Sequence, residues 1–176
     1  MLHITKERPE HFTEIDKLLL EAFKNDPYSD HGEGDLVRRI RASEDFISDL
    51  ALVALEDEKV VGYILVSPLK IVSQETKEEF PGLTLAPVAV LPEKQGQKIG
   101  AQLIERAHET AKALGHDYIV LLGHDTYYPR FGYEVCKNHN IEFHFQVPPE
   151  YCMVKEITPN SLEKINGLVH YPETFF

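Results

Sequence analysis

Two stretches of the 176-residue chain combine residue types that can do chemistry. The first, "VLPEKQGQKIGAQLIERA", runs from Val90 to Ala107. Its apolar start breaks at Pro92, turns polar around Gly96 and Gly100, and then takes up helical spacing. The first N–H groups of a helix lack internal acceptors and, with the helix dipole, attract anions, phosphates above all. Gly96 and Gly100 would let a ligand come close to that backbone, and Gln95 would add a side-chain donor. A pyrophosphate fits such a cradle. The same glycines also suit a plain strand-to-helix connection, and two glycines do not separate the readings. Neither G-x-G-x-x-G nor the G-K-[ST] of a Walker loop occurs here. The second stretch, "GHDTYYPRFGYEV", carries His124 and Asp125 ahead of Tyr127, Tyr128 and Phe131. Read on residue types alone, its aromatics form a cover over the edge of a core.

The surrounding elements must bring these stretches to one place. "LHIT" (Leu2 to Thr5) reads as a short strand, and Pro9 opens a helix with Ile15, Leu18, Leu19, Ala22 and Phe23 on one face. Turn formers in "KNDPYSDHGEG" end it, and Gly34 to Ser43 reads as a second helix with Leu36, Val37 and Ile40 inward. Leu50 to Glu56 and Val60 to Val72 pair as a hairpin around "DEK". A third β-type run spans Leu83 to Leu91, with Pro87 imposing a bulge or bend because it cannot donate to a ladder. The helix of the first stretch continues to about Leu114, burying Ile99, Leu103, Ile104, Ala107, Ala111 and Leu114, and Gly115 caps it. Asp117 to Gly123 is a fully apolar strand, so strand, helix and strand form a βαβ unit with parallel strands. Both chemical stretches then follow strands at the same carboxyl edge of a sheet. "IEFHFQV" reads as a further strand before the tail. With no repeat, linker or composition shift, residues 1–176 read as one domain.

Composition narrows the partners. Eighteen Lys and Arg against 29 Asp and Glu give a net charge of −11, which repels nucleic acid and anionic membranes. It favours the approach of cationic amines, though it also serves plain solubility. Cys136 and Cys152 could form one disulfide but make no secreted framework. Without a signal-like start or a membrane-length apolar run, the expectation is a cytoplasmic protein with reduced thiols. The nine histidines lack metal-ligand spacing, and His139 with His144 reads as strand decoration, so no metal is expected.

"VLPEKQGQKIGAQLI" resembles the acetyl-CoA pyrophosphate loop of the GNAT superfamily of N-acetyltransferases, which reads V-x-P-x-x-[QR]-x-x-G-x-[GA]. Val90, Pro92, Gln95, Gly100 and Leu103 match, while Lys98 replaces the usual middle glycine. Tyr128, Gly132 and Tyr133 match Y-x-x-x-G-[FY], and "YYPRFGYE" and "GLVHYPETF" resemble one branch of predicted acetyltransferases. The resemblance covers nearly the whole chain. It implies a mixed α/β fold: a mostly antiparallel sheet with a parallel βαβ unit, a bulged and splayed central strand, and flanking helices. It also implies acetyl-CoA as co-substrate, with its pyrophosphate on the backbone of Gln95, Gly96, Gln97, Lys98, Ile99, Gly100 and Ala101. Pantetheine would pair with the strand at Val88, Ala89 and Val90, where Pro87 opens the sheet, and Tyr127 would lie against the cofactor.

The implied reaction moves an acetyl group to a primary amine of a small molecule or peptide by direct attack in a ternary complex. A thiol has a pKa of about 8.5 and a tyrosine about 10, so Tyr128 could protonate the departing sulfur. The arriving amine, with a pKa near 10.4, must lose a proton. "LTLAPVAV" offers no carboxylate for that, which leaves His124 or Asp125 as base or water relay, and Glu33 as a pocket residue. Each of the three also suits a surface or capping role. The alternative is a non-catalytic acyl-CoA sensor on the same fold, favoured by Lys98 and the missing carboxylate. Either would work as a monomer or homodimer.

Overall fold

The computed structural model describes residues 1–176. Its strands are β1 (Leu2–Lys6), β2 (Ala51–Glu56), β3 (Lys59–Val72), β4 (Glu79–Val90), β5 (Tyr118–Leu122), β6 (Glu134–Val135), β7 (Ile141–Glu142), β8 (Cys152–Glu156) and β9 (Gly167–His170). The helices are α1 (Phe12–Phe23), α2 (Glu33–Arg41) and α3 (Ile99–Ala113). The chain forms two compact units, one of Met1–Ser67, Ala86–Thr110 and Thr174–Phe176, the other of Pro68–Leu85 and Ala111–Glu173. Strands β3 and β4 and helix α3 contribute residues to both.

In the first unit β1, β2 and the start of β3 form an antiparallel meander, with His3 opposite Leu55 and Ala51 opposite Leu65. Asp57 and Glu58 turn the hairpin with φ of 50° and 65°, the left-handed pair that matches strand twist. "ALVALE" is apolar throughout because both its faces are covered. Val53 and Tyr63 meet Ile15, Leu18 and Leu19 of α1 and Val37 and Ile40 of α2. On the other face a Cβ at Gly62 would come within 3.0 Å of Ile99 and Leu103, so α3 lies directly on β3 there. A buried ionic cluster ties β1 to α2 and β3. Arg41 donates to both Glu7 carboxylate oxygens at 2.8 and 2.9 Å, and the Tyr63 hydroxyl donates to Glu7 at 2.8 Å.

The second unit orders its strands β3-β4-β5-β8-β6, with β9 beside β3 and β7 beside β9. β4 and β5 are parallel, with Leu83 opposite Ile119 and Thr84 opposite Val120, and the register goes no further. β5 and β8 run antiparallel over five residue pairs, a length that makes β8 the main support of β5. Tyr118, Val120, Cys136, Cys152 and Val154 share a core with Leu69, Ile71 and Phe80. A Cβ at Gly82 would overlap the Tyr118 ring, whose hydroxyl donates to the Phe80 carbonyl at 2.5 Å. The whole is the mixed α/β fold that the resemblance implies, antiparallel apart from its parallel pairs, with flanking helices.

β4 runs through Pro87, where the sequence reading places a strand, and the Ala86–Pro87 peptide is cis. Other local elements depart from that reading for physical reasons. α3 stops at Ala113, so Leu114 falls past the last helical turn and is exposed instead of buried. Gly115, at φ 86°, donates to Lys112, and His116 donates to Ala111, which closes the helix as a Schellman cap. "IEFHFQV" is a strand only at Ile141–Glu142, the length over which β9 offers partners. Phe143 and Val147 then pack on the core from an irregular segment.

Candidate active site

The stretch expected to cradle the pyrophosphate lies in the first unit. The Leu91 N–H donates to the Val61 carbonyl on the β3 side at 3.0 Å, so the Val90 N–H and C=O project the opposite way. Ala89 is buried in the core, while Val88 and Val90 alternate with it and are half-buried. The chain makes one 3₁₀ turn, Pro92–Lys94, and Lys94 forms an ion pair with Glu56 at the β2–β3 turn. The Gln95 Nε2 donates to the Val90 carbonyl at 3.3 Å, so the side chain ties the loop back to the strand end.

Gly96 then takes φ 82° and Lys98 φ 64°, and α3 begins at Ile99. Lys98 therefore precedes the helix and does not lie in its first turn. Its left-handed backbone gives a physical reason for glycine at that position, since an L side chain there costs roughly 1–2 kcal/mol. The first bond of the helix runs from the Gln102 N–H to the Lys98 carbonyl at 3.1 Å. The N–H groups of Ile99, Gly100 and Ala101 thus have no intrahelical acceptor. Ile99 is buried and fixes their direction, while Gly96, Gln97 and Lys98 are exposed.

The tyrosines lie in the second unit. β5 ends at Leu122, and the Gly123 N–H donates to the Tyr151 carbonyl at 2.9 Å. The chain then turns on the His124 carbonyl, which accepts from the Tyr127 and Tyr128 N–H groups at 3.2 and 3.4 Å. A 3₁₀ turn, Tyr128–Phe131, ends at Gly132 with φ 95°. The Tyr128 ring stands edge-on to Tyr127 at 5.1 Å and to Tyr133 at 5.8 Å. Its phenol is protonated at neutral pH, as tyrosine ordinarily is, and burial pushes its pKa well above the usual tyrosine range. Tyr127 is shifted the same way, also by burial. Arg130, which residue types did not single out, stacks on Tyr127 at 4.6 Å and donates to its carbonyl at 2.9 Å. Only its spacing of three from Tyr127 could have flagged it.

The remaining candidates differ in exposure and in contacts. His124 is exposed, with its ring edge-on to Tyr151 at 6.1 Å, and Asp125 is exposed beside it. Glu33 opens α2 and accepts from the Ser29 hydroxyl. Cys136 is fully buried and burial pushes its thiol up, which suppresses the nucleophilic thiolate. His139 lies 3.4 Å from Glu134, and His144 faces His170 across 5.3 Å, so neither decorates the strand expected there. No three His, Cys, Asp or Glu side chains group as metal ligands would. The two regions offer, respectively, unpaired N–H donors for an anion and a protonated phenol for an acid step.

Residues 48–135 match the family profile described as an acetyltransferase (GNAT) domain. The chain is 31% identical to the uncharacterized N-acetyltransferase YhbS of Escherichia coli K12 over 162 residues, 92% of this chain and 90% of that one. A crystal structure of E. coli YhbS in complex with CoA superposes with a TM-score of 0.87 at 29% identity, covering 99% of this chain and 91% of that one. A GNAT family acetyltransferase from Brucella melitensis, in complex with acetyl-CoA, gives 0.80 at 33% identity over 100% of this chain and 99% of that one.

Proposed function

Because the chain belongs to the GNAT family of acetyltransferases, we propose that it moves the acetyl group of acetyl-CoA to a primary amine of a small molecule or peptide, in a ternary complex. Similar chains hold CoA and acetyl-CoA in their crystal structures, which supports the co-substrate. On this reading the N–H groups from Gly96 to Ala101 receive the pyrophosphate, with Gln95 bracing the loop. Val88 and Val90 offer backbone groups to pantetheine, with Ala89 buried between them and Tyr127 lining the cofactor.

The observation that carries the chemistry is the placement of Tyr128, whose ring is packed against Tyr127 and Tyr133 in the turn that follows β5 and whose phenol is protonated at neutral pH. The amine lone pair attacks the thioester carbonyl carbon, the C–S bond breaks, and sulfur takes the Tyr128 proton. The proton lost by the amine passes to His124 or to a water beside it, and from there restores Tyr128. The "YYPRFGY" stretch supports placing the chain in the branch that shares it. Its cellular setting on this reading is a cytoplasmic single-domain enzyme, a monomer or homodimer. No helix is long and apolar enough to cross a membrane.

Thiol release from acetyl-CoA, measured across polyamines, aminoglycosides, amino acids and peptide N-termini, tests the reading. At least one amine should give saturable turnover, and Tyr128→Phe should cut kcat by about 100-fold or more while CoA still binds. Full turnover in Tyr128→Phe would remove the acid from this mechanism.

A further inference from the structure

The end of β5 contains a residue that the acid step does not use directly. A Cβ added at Gly123 would lie 2.8 Å from Tyr128 Cδ2, nearer still to Cε2, and 3.1 Å from Leu121 Cδ1. Folded proteins essentially never show a Cβ so close to a ring atom, and an aromatic ring held on several sides cannot yield like a flexible chain end. Tyr128 is held in this way: Tyr127 and Tyr133 meet its ring edge-on, and Arg130 in turn pins Tyr127. Gly123 itself is fixed, since its N–H is bonded to Tyr151 and the preceding Leu122 is paired with Cys152 of β8.

We propose that Gly123 is the positioning residue of Tyr128. The missing side chain at the strand end is the seat on which the phenol ring lies, and it sets where the hydroxyl points. The requirement is for space and not for backbone freedom, because Gly123 is absent from the positive-φ glycines. This sets it apart from Gly96, where a Cβ would meet nothing within 4 Å and the left-handed φ alone explains the residue. The proposal rests on Tyr128 acting as the acid, and it adds that the acid's aim is set by the residue after β5. A displaced reacting group costs about 100-fold per ångström even when binding is intact.

Gly123→Ala tests it. Its kcat should fall about 100-fold, towards that of Tyr128→Phe, with the CoA Kd within twofold of the parent. The double variant should be no slower than Tyr128→Phe alone, because both changes remove one function. Parent turnover in Gly123→Ala, or losses that multiply in the double variant, would overturn the proposal. Protein labelled with 3-fluorotyrosine separates this from failure of the acid role. The Tyr128 ¹⁹F signal, assigned through Tyr128→Phe, should move in Gly123→Ala whether or not catalysis needs the phenol, and an unmoved signal overturns the seating. Should Gly123→Ala fold poorly, Tyr128→Ser removes the ring, and adding Gly123→Ala to it should leave the Tm unchanged. A further fall in Tm would show that the ring is not what excludes the methyl group.

Discussion

Lys98 shows how one backbone angle reshapes a charge argument. As a helical residue its ammonium would oppose the dipole, but at φ 64° it stands ahead of the helix on an exposed turn. Lys98→Gly relieves the left-handed strain and adds unfolded-state entropy. These effects are each about 1 kcal/mol and of opposite sign, so the Tm should hardly move. Lys98→Asn keeps a residue tolerant of that conformation and removes only the charge. If the ammonium assists the phosphates, both variants bind CoA more weakly, by about two- to fivefold, the scale of an exposed ion pair. Tighter binding in calorimetry of Lys98→Gly would instead make the lysine an obstruction. The acid role proposed for Tyr128 has its own signature. Burial raises its pKa, and an acid must be protonated to act, so the kcat profile should show no falling limb from this group below about pH 10.

Between elements, the Glu7–Arg41–Tyr63 cluster is where a single change should cost most. The two charged side chains are 4% and 15% exposed, so removing one leaves the other buried without its partner. Glu7→Ala should destabilise by about 3–5 kcal/mol, read as the loss in denaturant unfolding free energy. The exposed Lys6–Asp49 pair serves as the control, since Lys6→Ala should change stability by less than about 1 kcal/mol. A mild effect of Glu7→Ala would show that water reaches the cluster. β4 has the complementary sensitivity at Gly82, where the Tyr118 ring fills the space a methyl group needs. None of these contacts shows in hydrophobic periodicity, which locates elements but not the side chains that lock them together.

At the scale of the whole molecule, burial of tyrosine and cysteine predicts alkaline weakness. Tyr63, Tyr118, Tyr128, Tyr133, Tyr171 and Cys136 all have pKa values raised in the fold, chiefly by desolvation. A raised folded pKa contributes stability that is fully present below the unfolded value and lost as pH climbs towards the folded one. Stability should therefore hold to about pH 8.5, where an unfolded thiol begins to ionise, and fall steeply beyond about pH 10 as unfolded tyrosines do. Thermal midpoints between pH 7 and 11 check this, and a flat curve to pH 11 would contradict it. The charge of −11 carries a separate consequence. If the acceptor is a polyamine, its KM should rise several-fold between low and about 0.5 M salt, while a neutral amine of similar size responds weakly.

The sequence by itself determined the order of β1, α1, α2, the hairpin, β4, α3 and β5, because each buries a face whose period is visible in one dimension. It also located the turn from β4 into α3, since proline, glycine and helix onset act within a few residues. It did not determine β6, β8 and β9, short strands whose existence depends on partners distant in the chain. Nor did it show that Lys98 lies outside the helix, that Gln95 ties back to Val90, or that Gly123 is empty because a ring fills its space. Those are facts of φ angles, hydrogen-bond direction and excluded volume. They come into being only when segments far apart in sequence are packed against each other.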